Sequence, residues 1–154
     1  MQDESSIENV TKFEQLNTLI YYMAKIVSYS EAASIGMHGM VLVARAGDTI
    51  NVHKIAEITG SSRHHVAKIM QRLVKEGFLI SNRGPSGGFQ LSIDPKEITL
   101  LQIYEAIEGQ VKIIDCPHEK PICPFGKCIL GTVVSQMSQL FRDHLSSNTL
   151  ADLL

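Results

Sequence analysis

Cys116, Cys123 and Cys128 fall within thirteen residues of a 154-residue chain, in the run CPHEKPICPFGKC. Thiolates that close together can pair, react with oxidants, or hold a soft metal ion. An odd number leaves one unpaired, and a cytosolic chain rarely keeps a structural disulfide. The spacing, C-x6-C-x4-C, lacks the tight C-x2-C knuckle by which two thiolates grip one zinc ion. Wider gaps suit an iron–sulfur cluster, 2Fe-2S or 4Fe-4S, whose irons and sulfides fill more space. Pro117, Pro121, Pro124 and Gly126 keep the loop irregular and turn backbone amides toward the sulfurs. The rival readings are a zinc site, or free thiols that sense oxidants without a metal.

Three cysteines leave a fourth ligand to find. His118 is local but stands only two residues beyond Cys116. Glu31 and His38 lie seven apart in a helical stretch, hence on one face about two turns apart. Either can complete the set, within one chain or across a dimer.

A second chemistry is written in the charge. The chain carries −2 overall, yet His53 to Pro85 holds Lys54, Arg63, Lys68, Arg72, Lys75 and Arg83 against Glu57 and Glu76 alone. A basic island on an acidic protein is the footprint of a polyanion-binding face. Its elements fit that use. A short helix over about Val52 to Thr59 ends at Gly60, and Ser61 or Ser62 caps a longer helix running to Gly77. Two helices joined by a glycine turn make a helix-turn-helix. Phe78–Ser81 and Phe89–Ile93 then read as strands around the RGPSGG turn, a wing. The second helix offers Ser62, Arg63, His64, His65 and Lys68 to the major groove of DNA, and Arg83 at the wing tip suits the minor groove.

The remaining elements frame these two chemistries. Residues 1–29 form an extension, with Ile7, Val10, Phe13, Leu16, Ile20, Met23 and Val27 at the spacing of an amphipathic helix. Ser30 caps a helix to about Ala46, and Thr99 to Glu108 forms another. The last, about Ile129 to Leu145, carries a wide apolar stripe through Leu130, Val133, Val134, Met137, Leu140, Phe141 and Leu145. Such a stripe on a small domain favours a homodimer. The expected fold is mainly α with a small β-hairpin wing: a winged helix-turn-helix with a long C-terminal dimerisation helix. Its parts are the winged domain over 30–108, the cysteine loop over 109–128, and the dimerisation helix and tail over 129–154.

Composition excludes several classes. Hydrophobic residues make up 44% and charged residues 19%, enough for a packed core and against wholesale disorder. No stretch approaches the ~20 apolar residues of a membrane span, and no secretory leader is evident, so a cytoplasmic protein is expected. No C-x2-C dithiol, phosphate-binding glycine loop or catalytic triad points to an enzyme.

Taken together, INVHKIAEITGSSRHHVAKIMQRLVKEGFLISNRGPSGGFQLS, then EITLLQIYEAIEG, the cysteine loop and the closing NTLADLL resemble the IscR/NsrR-type (Rrf2) family of winged-helix regulators over residues 30–154. The resemblance implies a homodimer with crossed C-terminal helices that binds a pseudo-palindromic double-stranded DNA operator, most often as a repressor. It also implies a cluster whose state sets DNA affinity, with Cys116, Cys123 and Cys128 as ligands. The fourth ligand in similar proteins follows the third cysteine, where Gly131 cannot ligate, or comes from the partner's first helix. There His38 matches a histidine ligand of one relative, and Ser34 stands at another ligand position as a poor donor. Spacings of six and four depart from the family's five and five. Residues 1–22 are extra, and Met23 opens MAKIVSYSEAAS much as relatives open, so Met1 and Met23 are both candidate starts.

Overall fold

The computed structural model describes residues 29–84, 87–116 and 126–154. The expected extension helix, Pro85 and Ser86 of the wing turn, and His118 and Cys123 of the loop lie outside the described residues.

Five α-helices and one hairpin are described: α1 (Glu31–Ala46), α2 (Val52–Thr59), α3 (Arg63–Lys75), β1 (Leu79–Asn82), β2 (Gly88–Leu91), α4 (Leu100–Glu108) and α5 (Val133–Ser147). Short 3-10 turns follow β2 at Pro95–Glu97 and α5 at Leu150–Leu153. The caps explain the boundaries. Ser30, Asn51, Ser62 and Thr99 each accept a backbone N–H of the following first turn, which satisfies a donor the helix leaves open. Gly47 and Gly60 close α1 and α2 in the left-handed region.

Two compact units emerge: Tyr29–Val111 with Arg142–Leu154, and Met1–Ser28 with Lys112–Phe141. The first is the winged domain. α1 packs on α3 and α4, α2 on α3, and the hairpin on α3 and α1. Ile35, Met40, Ile55, Met70, Leu73 and Ile103 fill its aliphatic core. The hairpin is antiparallel, with Leu79 opposite Leu91 and Asn82 opposite Gly88. Ile50 adds a third short rung by exchanging backbone hydrogen bonds of 3.0 and 2.8 Å with Phe89. The tail closes on the same unit: Leu150 is fully buried, and its N–H donates to the Ile98 carbonyl at 2.8 Å.

In the other unit, α5 begins at Val133, four residues later than its apolar pattern suggests, because Gly131 takes a positive φ of 56° and leaves a turn over 129–132. The stripe on α5 also divides. Val134 is buried, whereas Val133, Met137 and Leu140 are exposed. Among the described residues, no helix is long and apolar enough to cross a membrane.

Candidate DNA interface and thiol centre

Ser62 caps α3, its Oγ accepting the His65 N–H at 3.2 Å, so its oxygen is already engaged in starting the helix. The first turn then exposes Arg63 and His64, with Lys68 one turn on. The Arg63 guanidinium donates from Nη1 to His53 Nδ1 on α2, 3.1 Å away. A guanidinium only donates, so His53 Nδ1 is the acceptor in this contact. His65 turns the other way. It is half-buried, and its Nδ1 lies 3.7 Å from the Glu31 carboxylate on α1.

The basic island thins on inspection. Lys54 pairs with Glu57 at 3.0 Å, an exposed pair of little energetic weight. Arg72 donates to the Ala106 carbonyl at 3.1 Å and ties α3 to α4. Among the described residues, Lys68, Lys75 and Arg83 have no acidic partner, and with Arg63 they supply the unspent positive charge of this face. The wing is fastened beside them: Gln71 Nε2 donates to Ser81 Oγ at 3.3 Å. His53, Gln71 and Ser81 therefore position side chains of this candidate face, and sequence reasoning does not single them out. Asn51 capping α2 was the available signal for His53, since a cap fixes which way the next residues point.

The thiol centre is only partly described. Cys116 is half-buried, Cys128 is exposed, and both are free thiols. Among the described residues, no three His, Cys, Asp or Glu side chains gather closely enough to hold a metal. His38 is exposed on α1 with its Nδ1 2.8 Å from the Ser34 carbonyl. A carbonyl only accepts, so Nδ1 is the donor in this contact, and Nε2 is the nitrogen not engaged by it. Ser34 Oγ lies 3.4 Å from the same nitrogen, and the exposed Glu31 carboxylate lies 3.7 Å from His65 Nδ1. His38, Met37, Val41, Leu42, Ile58 and Leu153 line an open, largely apolar groove of about 730 Å³.

Comparison with known proteins adds the family context. A family model described as "Rrf2: Iron-dependent Transcriptional regulator" matches residues 29–154. The protein rrf2 of Nitratidesulfovibrio vulgaris is 28% identical over 121 residues, spanning 78% of this chain and 77% of that one. The HTH-type transcriptional regulator NsrR of Bacillus subtilis is 27% identical over 132 residues, 84% of this chain and 90% of that one. Among solved structures, CymR, the global cysteine regulator of B. subtilis, superposes with a TM-score of 0.69 at 22% identity. That match covers 82% of this chain and 95% of CymR.

Proposed function

The chain belongs to the Rrf2 family of transcriptional regulators, and from that premise we propose that it is a homodimeric DNA-binding repressor governed by an iron–sulfur cluster. Cys116, Cys123 and Cys128 hold the cluster, and His38 of a second copy completes it. The observation that carries this reading is the His38 ring. The ring is exposed on α1 and its Nδ1 lies 2.8 Å from the Ser34 carbonyl, a backbone contact of the kind that orients a metal-ligating imidazole. The donor set fits the group: thiolates and a neutral imidazole are ligands that iron–sulfur clusters accept. When bound, the cluster would supply redox-active iron sensitive to oxygen or nitric oxide.

The chain's own residues do the rest. α3 lies in the major groove with Arg63 and Lys68 on phosphates or guanine edges, and Ser62, His64 and His65 at the same helix end. Arg83 at the wing tip enters the minor groove, where the negative potential is strongest. A dimer sets two α3 helices about one DNA turn apart and so reads a pseudo-palindromic operator. α1 carries both His38 and Glu31, and Glu31 contacts His65 on α3, so a shift of α1 at the ligand is felt at the recognition helix.

Anaerobic purification tests this directly. The expected protein is brown, absorbs across roughly 300–600 nm, and contains iron and sulfide in matched amounts. His38→Ala is expected to change that spectrum and speed cluster loss. An unchanged spectrum removes His38 from the ligand set. A colourless protein with zinc or no metal overturns the cluster and leaves the second reading, a winged-helix regulator whose thiols sense oxidants directly. The exposure of Cys128 favours that alternative.

A further inference from the structure

The exposed side of α3 carries one amide among its charges. His64, Lys68, Gln71 and Lys75 follow at steps of four, three and four and are all exposed, so they form one stripe along the helix. The stretch from His64 to Gln71 rises about 10.5 Å at ~1.5 Å per residue, roughly three base-pair steps of DNA. Lys68 and Lys75 are drawn to phosphates of any sequence. Gln71 is the one amide side chain of α3, and a neutral amide gains little from phosphate charge. What it offers is a donor and an acceptor in one plane.

The wing holds that amide in place. Gln71 Nε2 donates one N–H to Ser81 Oγ on β1 at 3.3 Å, which leaves its second N–H and its carbonyl oxygen for another partner. The hairpin does not need this bond for its own placement. Leu79 and Phe89 are buried, Ile50 and Phe89 exchange backbone hydrogen bonds of 3.0 and 2.8 Å, and Ser92 Oγ donates to the Gly77 carbonyl. Ser81 is thus the fixed partner, and the exposed glutamine is the one that is held. On its major-groove edge adenine presents an accepting N7 and a donating N6 amino group, the complement of what Gln71 has left. We infer that Gln71 reads one adenine in each half-site of the DNA, with Ser81 of the wing orienting its amide; this rests on α3 lying in the major groove. Holding the side chain beforehand cuts the rotamer freedom it loses on contact, so helix and wing act together at this base.

Selection from a pool of randomised DNA duplexes by the full chain, purified anaerobically, tests this against Gln71→Ala, Gln71→Arg and Ser81→Ala. The wild type is expected to enrich an adenine at one position of each half-site. Gln71→Ala is expected to lower the preference there about ten-fold and to keep every other position. Gln71→Arg is expected to move that position to guanine, whose O6 and N7 both accept, a change that a merely structural glutamine would not produce. Ser81→Ala is expected to keep the adenine with discrimination only a few-fold weaker, as befits one lost hydrogen bond. Unchanged preferences in both Gln71 variants overturn the inference and leave α3 in the groove. So does a loss spread evenly over all positions, or one in Ser81→Ala as large as in Gln71→Ala, which assigns the effect to the wing. A wild type that enriches no sequence overturns the groove reading itself, and this inference with it.

Discussion

In the proposed DNA contact, His53 sets how the Arg63 guanidinium is presented. A guanidinium with one N–H already spent on a fixed acceptor keeps its other donors in a defined fork and loses less freedom on binding. Removing Arg63 deletes the contact itself, so Arg63→Ala is expected to weaken operator binding about 10- to 100-fold, the ~1–3 kcal/mol of a base or phosphate contact. His53→Ala removes only the hold, worth ~1 kcal/mol, or about five-fold. Fluorescence anisotropy at fixed salt checks both, and the double variant separates their roles. If His53 acts through Arg63, its substitution adds nothing once Arg63 is gone; a full additive loss would mean His53 touches DNA on its own account. The same titration across salt concentrations reports Lys68, whose replacement by alanine should lower the salt slope by about one. His65 is a different matter. Its contact with Glu31 makes it a link between α1 and α3, which its place in the SSRHH run does not reveal.

The wing is set by a close approach of backbones at the element scale. A Cβ built on Gly88 would stand 2.3 Å from the Ile50 carbonyl oxygen, a backbone atom with nowhere to go. Gly88→Ala must therefore break the Ile50–Phe89 rung or push the hairpin off α1. It is expected to lower the midpoint of thermal unfolding by several degrees, and to weaken operator binding because Arg83 loses its place. Binding as tight as wild type would show that the wing does not contribute. The closing turn has its own latch. Asp152 accepts from the Thr149 N–H and hydroxyl at 2.7 and 2.8 Å, and the backbone bond foremost, then the hydroxyl, holds its carboxyl below the ordinary carboxylate range. A depressed folded-state value means the latch is intact above the unfolded value near 3.8 and lost as pH falls through the folded one. Asp152→Asn should therefore remove a small increment of stability at neutral pH and flatten the loss on acidification, readable as paired melts at neutral and acid pH. These elements differ in how far the sequence disclosed them. Ser30, Asn51, Ser62 and Thr99 announce their helices because a cap is a local chemical event. The Ile50 rung was not legible, since a single residue paired across the fold leaves no periodicity. The start of α5 was misplaced because apolar spacing continued through Gly131, whose positive φ ends helical geometry regardless of pattern. At the candidate site, the resemblance alone singles out His38, while the Ser34 carbonyl that its Nδ1 contacts needs coordinates.

At the scale of the whole molecule, the proposed dimer, and with it the pairing of two recognition helices, rests on the exposed Val133–Met137–Leu140 row of α5. Leu140 is 73% exposed and Met137 50%, so neither contributes much to the fold of a single chain. Apolar side chains in a row on one helix face are stable in water only when another surface covers them, at about 25 cal/mol per Å² buried. A charge placed in that row leaves the monomer fold intact and removes the reason to associate. Leu140→Glu is therefore expected to elute and scatter light as a monomer, with an unchanged circular dichroism spectrum. Its binding to a full operator should fall to the affinity of a single half-site, because the second α3 helix is no longer delivered at a fixed spacing. His38 would lose its partner's cysteines in the same step, so the variant should also fail to retain the cluster while keeping all three thiols. Retention of the dimer by Leu140→Glu would move the interface elsewhere. A monomer that still holds the cluster would place the fourth ligand within the chain rather than across it.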